Sequence, residues 1–298
     1  MTLAEKLSFL FEINPKGNNK NGDYMNIRTD FADEIILKNT KEYTKKVENY
    51  KYVKKTNIQI LKDSNTFNKA KGKYISLDFD NLYDDDIRKE VSTSLIVALS
   101  DLYNIQEQDK VLIVGLGNQK IIADSLGPMV ADKIIVTNHW FKLYPNDIDK
   151  DLNKVCVFTP KVMGQTGLES ADLIKSVVDL FKPNLIIVID ALASSSINRI
   201  NKVIQLSDTG IAPGSGVGNY RKEINEKNMN CKVISIGVAT VVEANKIVKE
   251  LNDKIKIPKN SNYNLILTPK EIDEDIEHLS TIIATSINKY VHNDYNSM

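Results

Sequence analysis

An α/β fold is what this sequence predicts: a mostly parallel central sheet flanked by helices, with a small N-terminal β-containing elaboration ahead of it. Three observations lead there. Residues 185–189 (Leu-Ile-Ile-Val-Ile) form an unbroken, mostly β-branched apolar run, and residues 111–114 (Val-Leu-Ile-Val) form another. Such runs suit strands buried on both faces, as in parallel sheets. From Lys110 onward, short apolar runs alternate with stretches of helical periodicity, the pattern of α/β proteins. Before Lys110, residues 57–61 and 72–78 alternate polar with apolar instead, as half-buried strands do.

The elements follow in order. Residues 14–26 are polar and rich in turn formers, which reads as a linker. A helix is expected to start at Thr29 or Asp30. Residues 51–79 read as β-structure with a polar turn. Residues 84–102 read as an amphipathic helix carrying Ile87, Val91, Leu95, Ala98 and Leu99 on one face. Strand 110–116 then leads to a helix at 126–136, strand 154–159 to a helix at 168–181, and strand 185–189 to a short helix near 194–199. A further strand at 203–206 runs into a glycine-rich loop at 207–219. Strand 232–238 precedes a helix expected over 241–251. A polar stretch, 254–261, a short extended piece, 265–267, and a long helix, 269–291, complete the chain. No internal repeat is present.

The chain has 298 residues with 39 basic and 39 acidic side chains. A formal charge of zero offers no electrostatic case for direct nucleic-acid binding or for an anionic membrane surface. No apolar run approaches the ~20 residues of a membrane helix, and the short run at 7–11 lacks the form of a signal peptide. Cys156 and Cys231 have no metal-site spacing, and two thiols in a chain of this size suggest a reducing compartment. A soluble, cytoplasmic protein is expected.

Most local motifs fail on their chemistry. Gly115-Leu116-Gly117 follows a strand, but Lys120 stands where a dinucleotide site wants a third glycine. The loop Pro213-Gly214-Ser215-Gly216-Val217-Gly218 lacks the Lys-Ser/Thr of a phosphate loop, and Pro213 breaks the Gly-x-Ser-x-Gly pattern; it reads as substrate-facing or as a plain loop. Of the three histidines only His139 lies near the α/β region, so a Ser–His–Asp triad or a histidine-rich metal site is poorly supplied. Cys156 reads as core. Asp208, in Asp208-Thr209-Gly210, reads as a turn residue.

Asp124 and Asp190 stand apart. Each lies past the end of a buried strand, and in open α/β sheets ligands bind at that rim. Each could merely cap a helix. Brought together, two carboxylates cannot both ionise easily, so one holds a proton. The ionised one can activate water. The protonated one can polarise a carbonyl and then protonate a leaving amine. Peptide hydrolysis then needs neither cofactor nor metal.

Several long strings are similar to the germination protease of spore-forming bacteria. They include Asp124-Ser125-Leu126-Gly127-Pro128, Met163-Gly164-Gln165-Thr166-Gly167-Leu168-Glu169-Ser170 and Ile189-Asp190-Ala191-Leu192-Ala193. The longest runs from Ile204-Gln205-Leu206-Ser207-Asp208-Thr209-Gly210 through Pro213-Gly214-Ser215-Gly216-Val217-Gly218-Asn219. The resemblance spans roughly residues 27–290. It implies an endopeptidase that starts the degradation of small acid-soluble spore proteins at germination, in the spore interior. It also implies a fold similar to that of the hydrogenase-maturation proteases, a self-processing zymogen, a homotetramer, and catalysis by Asp124 and Asp190. Residues 1–34 would then be a propeptide-like extension and 35–298 the protease domain. The string Thr29-Asp30-Phe31-Ala32-Asp33-Glu34 resembles the family's substrate site, and the expectation is that it fills the active-site cleft.

Lys161 stands where the family has a glycine, Ala239 where it has a proline, and Ser195 where it often has an arginine. The stretch at 252–264 is short and the extension before Ile27 long. Two other functions remain open from the sequence. One is a metal-dependent maturation-type peptidase holding an ion through Asp124, Asp190 and His139. The other is a non-catalytic relative that binds spore proteins.

Overall fold

The computed structural model describes residues 29–35, 41–63, 69–144, 146, 152–214, 221–244, 246–247 and 265–292. The linker at 14–26, residues 215–219 of the glycine-rich loop, residues 245 and 248–251 of the helix expected over 241–251, and the polar stretch 254–261 lie outside these residues. In chain order the elements are α1 (Ala32–Ile35), β1 (Tyr43–Asn49), β2 (Lys54–Ile60), β3 (Gly72–Asp78), α2 (Asp85–Leu102), β4 (Lys110–Gly115), α3 (Leu126–Ala131) and α4 (Asn138–Leu143). Then follow β5 (Lys154–Phe158), α5 (Met163–Thr166), α6 (Ser170–Phe181), β6 (Leu185–Ser194), β7 (Val203–Ser207), α7 (Glu226–Met229), β8 (Lys232–Glu243), β9 (Ile266–Leu267) and α8 (Ile272–Val291). Tight 3-10 turns at Ile122–Asp124 and Ile197–Arg199 precede α3 and β7.

Among the described residues, all nine strands join one sheet, ordered β1-β2-β3-β7-β8-β6-β4-β5 with β9 on β8. The expectation of a mostly parallel sheet holds for one half only. β5, β4, β6 and β8 are parallel neighbours, whereas the pairs β1–β2, β2–β3, β3–β7, β7–β8 and β8–β9 are antiparallel. The reason lies in the connections. β1 and β2 are joined by four residues (50–53), and β6 reaches β7 through eight (195–202). A parallel crossover needs a dozen or more, so β7 must run back against the parallel set. The expected N-terminal β-structure, β1–β3, extends the main sheet through the β3–β7 pair.

The apolar runs predicted as doubly buried strands are buried throughout: residues 111–114 and 185–189 have no exposed surface. Alternate side chains enter two cores. Val111, Ile113, Ile187 and Ile189 meet α2, α3 and α8 on one face. Leu112, Val114, Ile186 and Val188 meet α6 on the other. α2 starts where Asp84 accepts hydrogen bonds from the Asp86 and Ile87 amides, and it buries the five residues its periodicity names. Each such Leu, Ile or Val contributes about 1.5–3 kcal/mol on full burial. Cys156 is only half-buried, packed against the second core.

Two strands outrun their predicted ends. β6 continues to Ser194 and β8 to Glu243, paired with each other beyond Asp190, with a register shift at Leu192/Ala193. The helix expected from Val241 therefore begins no earlier than Ala244. β4 stops sooner, since its last partner on β6 is Ile189. Asp190 is thus the first residue of β6 past the end of its β4 neighbour, and a cleft opens there.

Candidate active site

Asp190 sits inside a strand, not in a loop. Its backbone is held by β8 opposite Gly237, and its side chain is buried. Its Oδ1 accepts a hydrogen bond from the Ala191 amide at 2.9 Å. Burial pushes its protonation well above the ordinary carboxylate range, and the charges of Asp124 and Asp30 push it further.

Asp124 arrives by a different route. After β4 the chain turns at Gly117, whose φ of +118° suits only glycine, and returns through the 3-10 turn. The Asn118 amide donates to both the backbone oxygen and Oδ2 of Asp124, each at 2.9 Å. The Asp124 amide in turn donates to the Ile121 oxygen at 2.8 Å. This closed loop fixes the carboxylate at the rim. Burial raises its pKa to about 6, against the opposing hydrogen bond from Asn118.

Both carboxylates line one cleft of about 790 Å³. Ile121, Ile122, Met163 and Ile266 give it apolar walls, and Lys161 and Arg221 bring positive charge. Lys161 holds a left-handed backbone, φ +61°, a region glycine enters without strain.

A third acid, Asp30, also lines the cleft. It belongs to residues 29–35, which lie against the far end of β6. The Asp30 amide donates to the Ala193 oxygen at 3.2 Å, and Asp30 Oδ2 accepts from the Ala193 amide at 2.9 Å. Lys69 Nζ and Gln205 Nε2 donate to the Asp30 carbonyl at 2.8 and 3.1 Å, and the Ala32 amide donates to Gln205 Oε1 at 2.8 Å. Phe31 is fully buried against Leu192, Val203 and Ala239. The helical turn expected from Thr29 or Asp30 begins at Ala32.

Other sequence candidates lie elsewhere. His139 is exposed and packs edge-on against Trp140, with ring centroids 5.6 Å apart, and it does not line the cleft. The ligand set Asp124, Asp190 and His139 is therefore not assembled, and among the described residues no group of three His, Cys, Asp or Glu side chains is gathered for a metal. Asp208 is a turn residue, but it binds the neighbouring strand instead of its own backbone: its Oδ1 accepts from the Lys73 amide at 2.7 Å. Cys156 and Cys231 do not line the cleft. Sequence reasoning passed over Gln205, Lys69 and Arg199. Gln205 alone carried a signal, as an amide inside an otherwise apolar strand.

Comparison with known proteins adds to this geometry. Residues 22–257 match the family model described as germination protease. The chain is 36% identical to the germination protease of Clostridium perfringens strain SM101 over a 306-residue alignment, covering 88% of this chain and 94% of that one. It is 37% identical to that of Clostridium tetani, covering 89% and 95%. It is likewise 37% identical to that of Bacillus subtilis, covering 77% and 67%. Among solved structures, the NiFe hydrogenase maturation protease HycI from Thermococcus kodakarensis aligns with a TM-score of 0.35 at 18% identity, over 64% of this chain and 98% of that one. That likeness is too slight to specify the fold.

Proposed function

This chain belongs to the germination protease family, and from that premise we propose that it is an endopeptidase acting on small acid-soluble spore proteins through Asp124 and Asp190. The observation that carries the proposal is that these two carboxylates, Asp190 buried and Asp124 half-buried, line one cleft that also takes in a peptide segment.

The two acids divide the work. Asp190 is the more deeply buried and has Asp124 beside it, so it retains the shared proton and polarises the substrate carbonyl. Asp124, raised to about 6, is ionised near neutral pH and takes the proton from the attacking water. As the C–N bond breaks, Asp190 gives its proton to the leaving amine and the pair exchanges roles.

The chain is made, on this reading, as a zymogen in which residues 1–34 form the extension removed by self-processing and 35–298 form the protease domain. What supports this is Asp30 in the cleft and Phe31 in a closed apolar pocket. The mature enzyme is a homotetramer in the spore interior.

The test is cleavage of a purified small acid-soluble spore protein at mildly acidic pH. Wild type cuts after a glutamate. Asp124→Asn and Asp190→Asn each lose about 10³-fold or more in kcat. Full activity in either variant, or a rate abolished by chelator and restored by nickel, overturns the aspartate mechanism.

A further inference from the structure

Two donors from different parts of the chain converge on one peptide oxygen. The Asp30 carbonyl accepts from Lys69 Nζ at 2.8 Å and from Gln205 Nε2 at 3.1 Å. Gln205 belongs to β7, and Lys69 to the residues that lead into β3. The register of the sheet relates this oxygen to the acids. Gln205 pairs with Gly237 on β8, and Gly237 pairs with Asp190 on β6. Neighbouring strands lie about 4.8 Å apart, so Asp190 and Gln205 face each other across about 10 Å. Gly237 puts no side chain between them. Asp30 joins the two sides. It lines the cleft of Asp124 and Asp190, it lines a smaller cavity of about 260 Å³ bordered by Lys69, Gln205 and Gly237, and its charge acts on Asp190.

The donors are held in advance. The Tyr74 hydroxyl donates to the Ala70 carbonyl at 2.9 Å and accepts from the Thr209 hydroxyl at 3.1 Å, and the Thr209 amide donates to Ser207 Oγ at 3.0 Å. Burial pushes the Tyr74 phenol up to about 12, so it keeps the proton it donates. The Lys73 amide donates to Asp208 Oδ1 at 2.7 Å, which ties the start of β3 to the end of β7. Lys69 itself is half-buried. Burial lowers its pKa against the pull of Asp30, Glu34 and Asp33, so an ammonium here gains from negative charge that forms beside it. Fixed donors on a carbonyl oxygen suit acyl transfer, because they act on the charge that develops there.

We propose that Lys69 and Gln205 are catalytic residues that stabilise the oxyanion, for a substrate carbonyl standing where the Asp30 carbonyl stands. The inference rests on the protease reading and adds to it groups outside the carboxylate pair. Water bonds to the carbonyl carbon as one of its protons passes to Asp124. The carbonyl π pair moves onto oxygen. Lys69 and Gln205 hold two lone pairs of that oxygen, and the Asp190 proton meets the third. The carbon–oxygen double bond re-forms as the C–N bond breaks, and the amine leaves with the proton of Asp190. Lys69 and Gln205 neither gain nor lose a proton.

The test compares wild type with Lys69→Met and Gln205→Met, which keep side-chain length and lose the donor. The substrate is a purified small acid-soluble spore protein. The inhibitor is a peptide with the sequence of residues 26–35 carrying a phosphinate at the position of the Asp30 carbonyl, a tetrahedral anion that stands in for the intermediate. Each variant should lose about 10²-fold in kcat, with KM raised no more than about 5-fold. Phosphinate affinity should fall with kcat/KM, while affinity for the unmodified peptide changes as little as KM. Lys69→Arg, which keeps a charged donor, should recover part of the loss. Gln205→Met also gives up the Ala32 amide, so KM alone is not the measure. Full kcat in either methionine variant, a loss confined to KM, or undiminished phosphinate affinity overturns the oxyanion role and leaves the protease. If Lys69→Met does not fold, Lys69→Arg and Gln205→Met decide. Wild type that cuts nothing, or cuts without Asp124 and Asp190, removes the protease reading, and this inference falls with it.

Discussion

Replacing Asp124 by asparagine should make the protein more stable at neutral pH while removing its activity. The side chain keeps its shape, and its oxygen can still accept the Asn118 amide at the present 2.9 Å. What changes is the charge. Burial lifts the Asp124 carboxyl from its ordinary 3.8 to about 6, so the ionised folded chain bears a penalty of up to about 3 kcal/mol. The sign follows from the raised pKa. Below pH 3.8 the group is protonated in both folded and unfolded chains and carries no penalty. As pH rises toward and through about 6, the unfolded chain releases its proton first, and the folded chain loses stability. The asparagine amide has no such proton to release. Urea unfolding followed by fluorescence of Trp140, the single tryptophan, should therefore give curves for wild type and Asp124→Asn that agree near pH 4. Above about pH 6.5 the variant should be more stable by about 1–3 kcal/mol. Superimposable profiles across that window, or a variant less stable at pH 7, would refute the claim that this carboxylate is held against its own ionisation.

Two further outcomes follow from the same loop and wall. Gly117→Ala would set a Cβ 2.0 Å from the Asp124 backbone oxygen at a φ of +118°, so it should cost about 3 kcal/mol or more in denaturant unfolding and about 10²-fold in peptide cleavage, because Asp124 must move. Lys161→Gly relieves a left-handed backbone at φ +61° and should raise stability by about 0.5–1 kcal/mol after the extra unfolded-state freedom of glycine is set against it, measured as a higher urea midpoint at unchanged slope.

The parallel half of the sheet was legible because its signal is local. An unbroken β-branched run says that both faces are covered, whatever covers them. The same applies to α2, whose buried face repeats at helical spacing. The direction and neighbours of β7 were not legible, since Val203–Ser207 is buried along its whole length and such a run carries no mark of parallel or antiparallel pairing. β1 was missed for the opposite reason: its side chains are mostly exposed, so nothing apolar alternates. The extension of β6 beyond Asp190 runs through Ala-Leu-Ala-Ser, poor β-formers that pairing with β8 holds in place. Asp124 and Asp190 were visible because a carboxylate after a buried strand is locally anomalous. Arg199 was invisible because its partners Asp33 and Glu34 are 166 and 165 residues away, and no spacing rule reaches that far.

The mixed topology, which looked like a departure from the expected fold, is what furnishes the peptide-binding side of the cleft. Because β7 runs back beside β8, Gln205 pairs with Gly237, and Gly237 pairs with Asp190. Residues in register share a face, so the sheet presents a row of acid, bare backbone and amide. A side chain at the middle position would not be harmless: a Cβ on Gly237 would lie 2.2 Å from Leu192 Cδ1, and Leu192 is a wall of the Phe31 pocket. Gly237 thus leaves room for both the crossing peptide and the residue that receives its aromatic ring. The short return that reverses β7 also carries Arg199, and β3, added antiparallel to β7, brings Asp78 to its guanidinium. A long parallel crossover in place of residues 195–202 would leave Asp190 where it is but remove the corner in which Arg199 holds Asp33, Glu34 and Asp78. The parallel strands set the carboxylates at the rim, and the antiparallel ones hold residues 30–34 beside them.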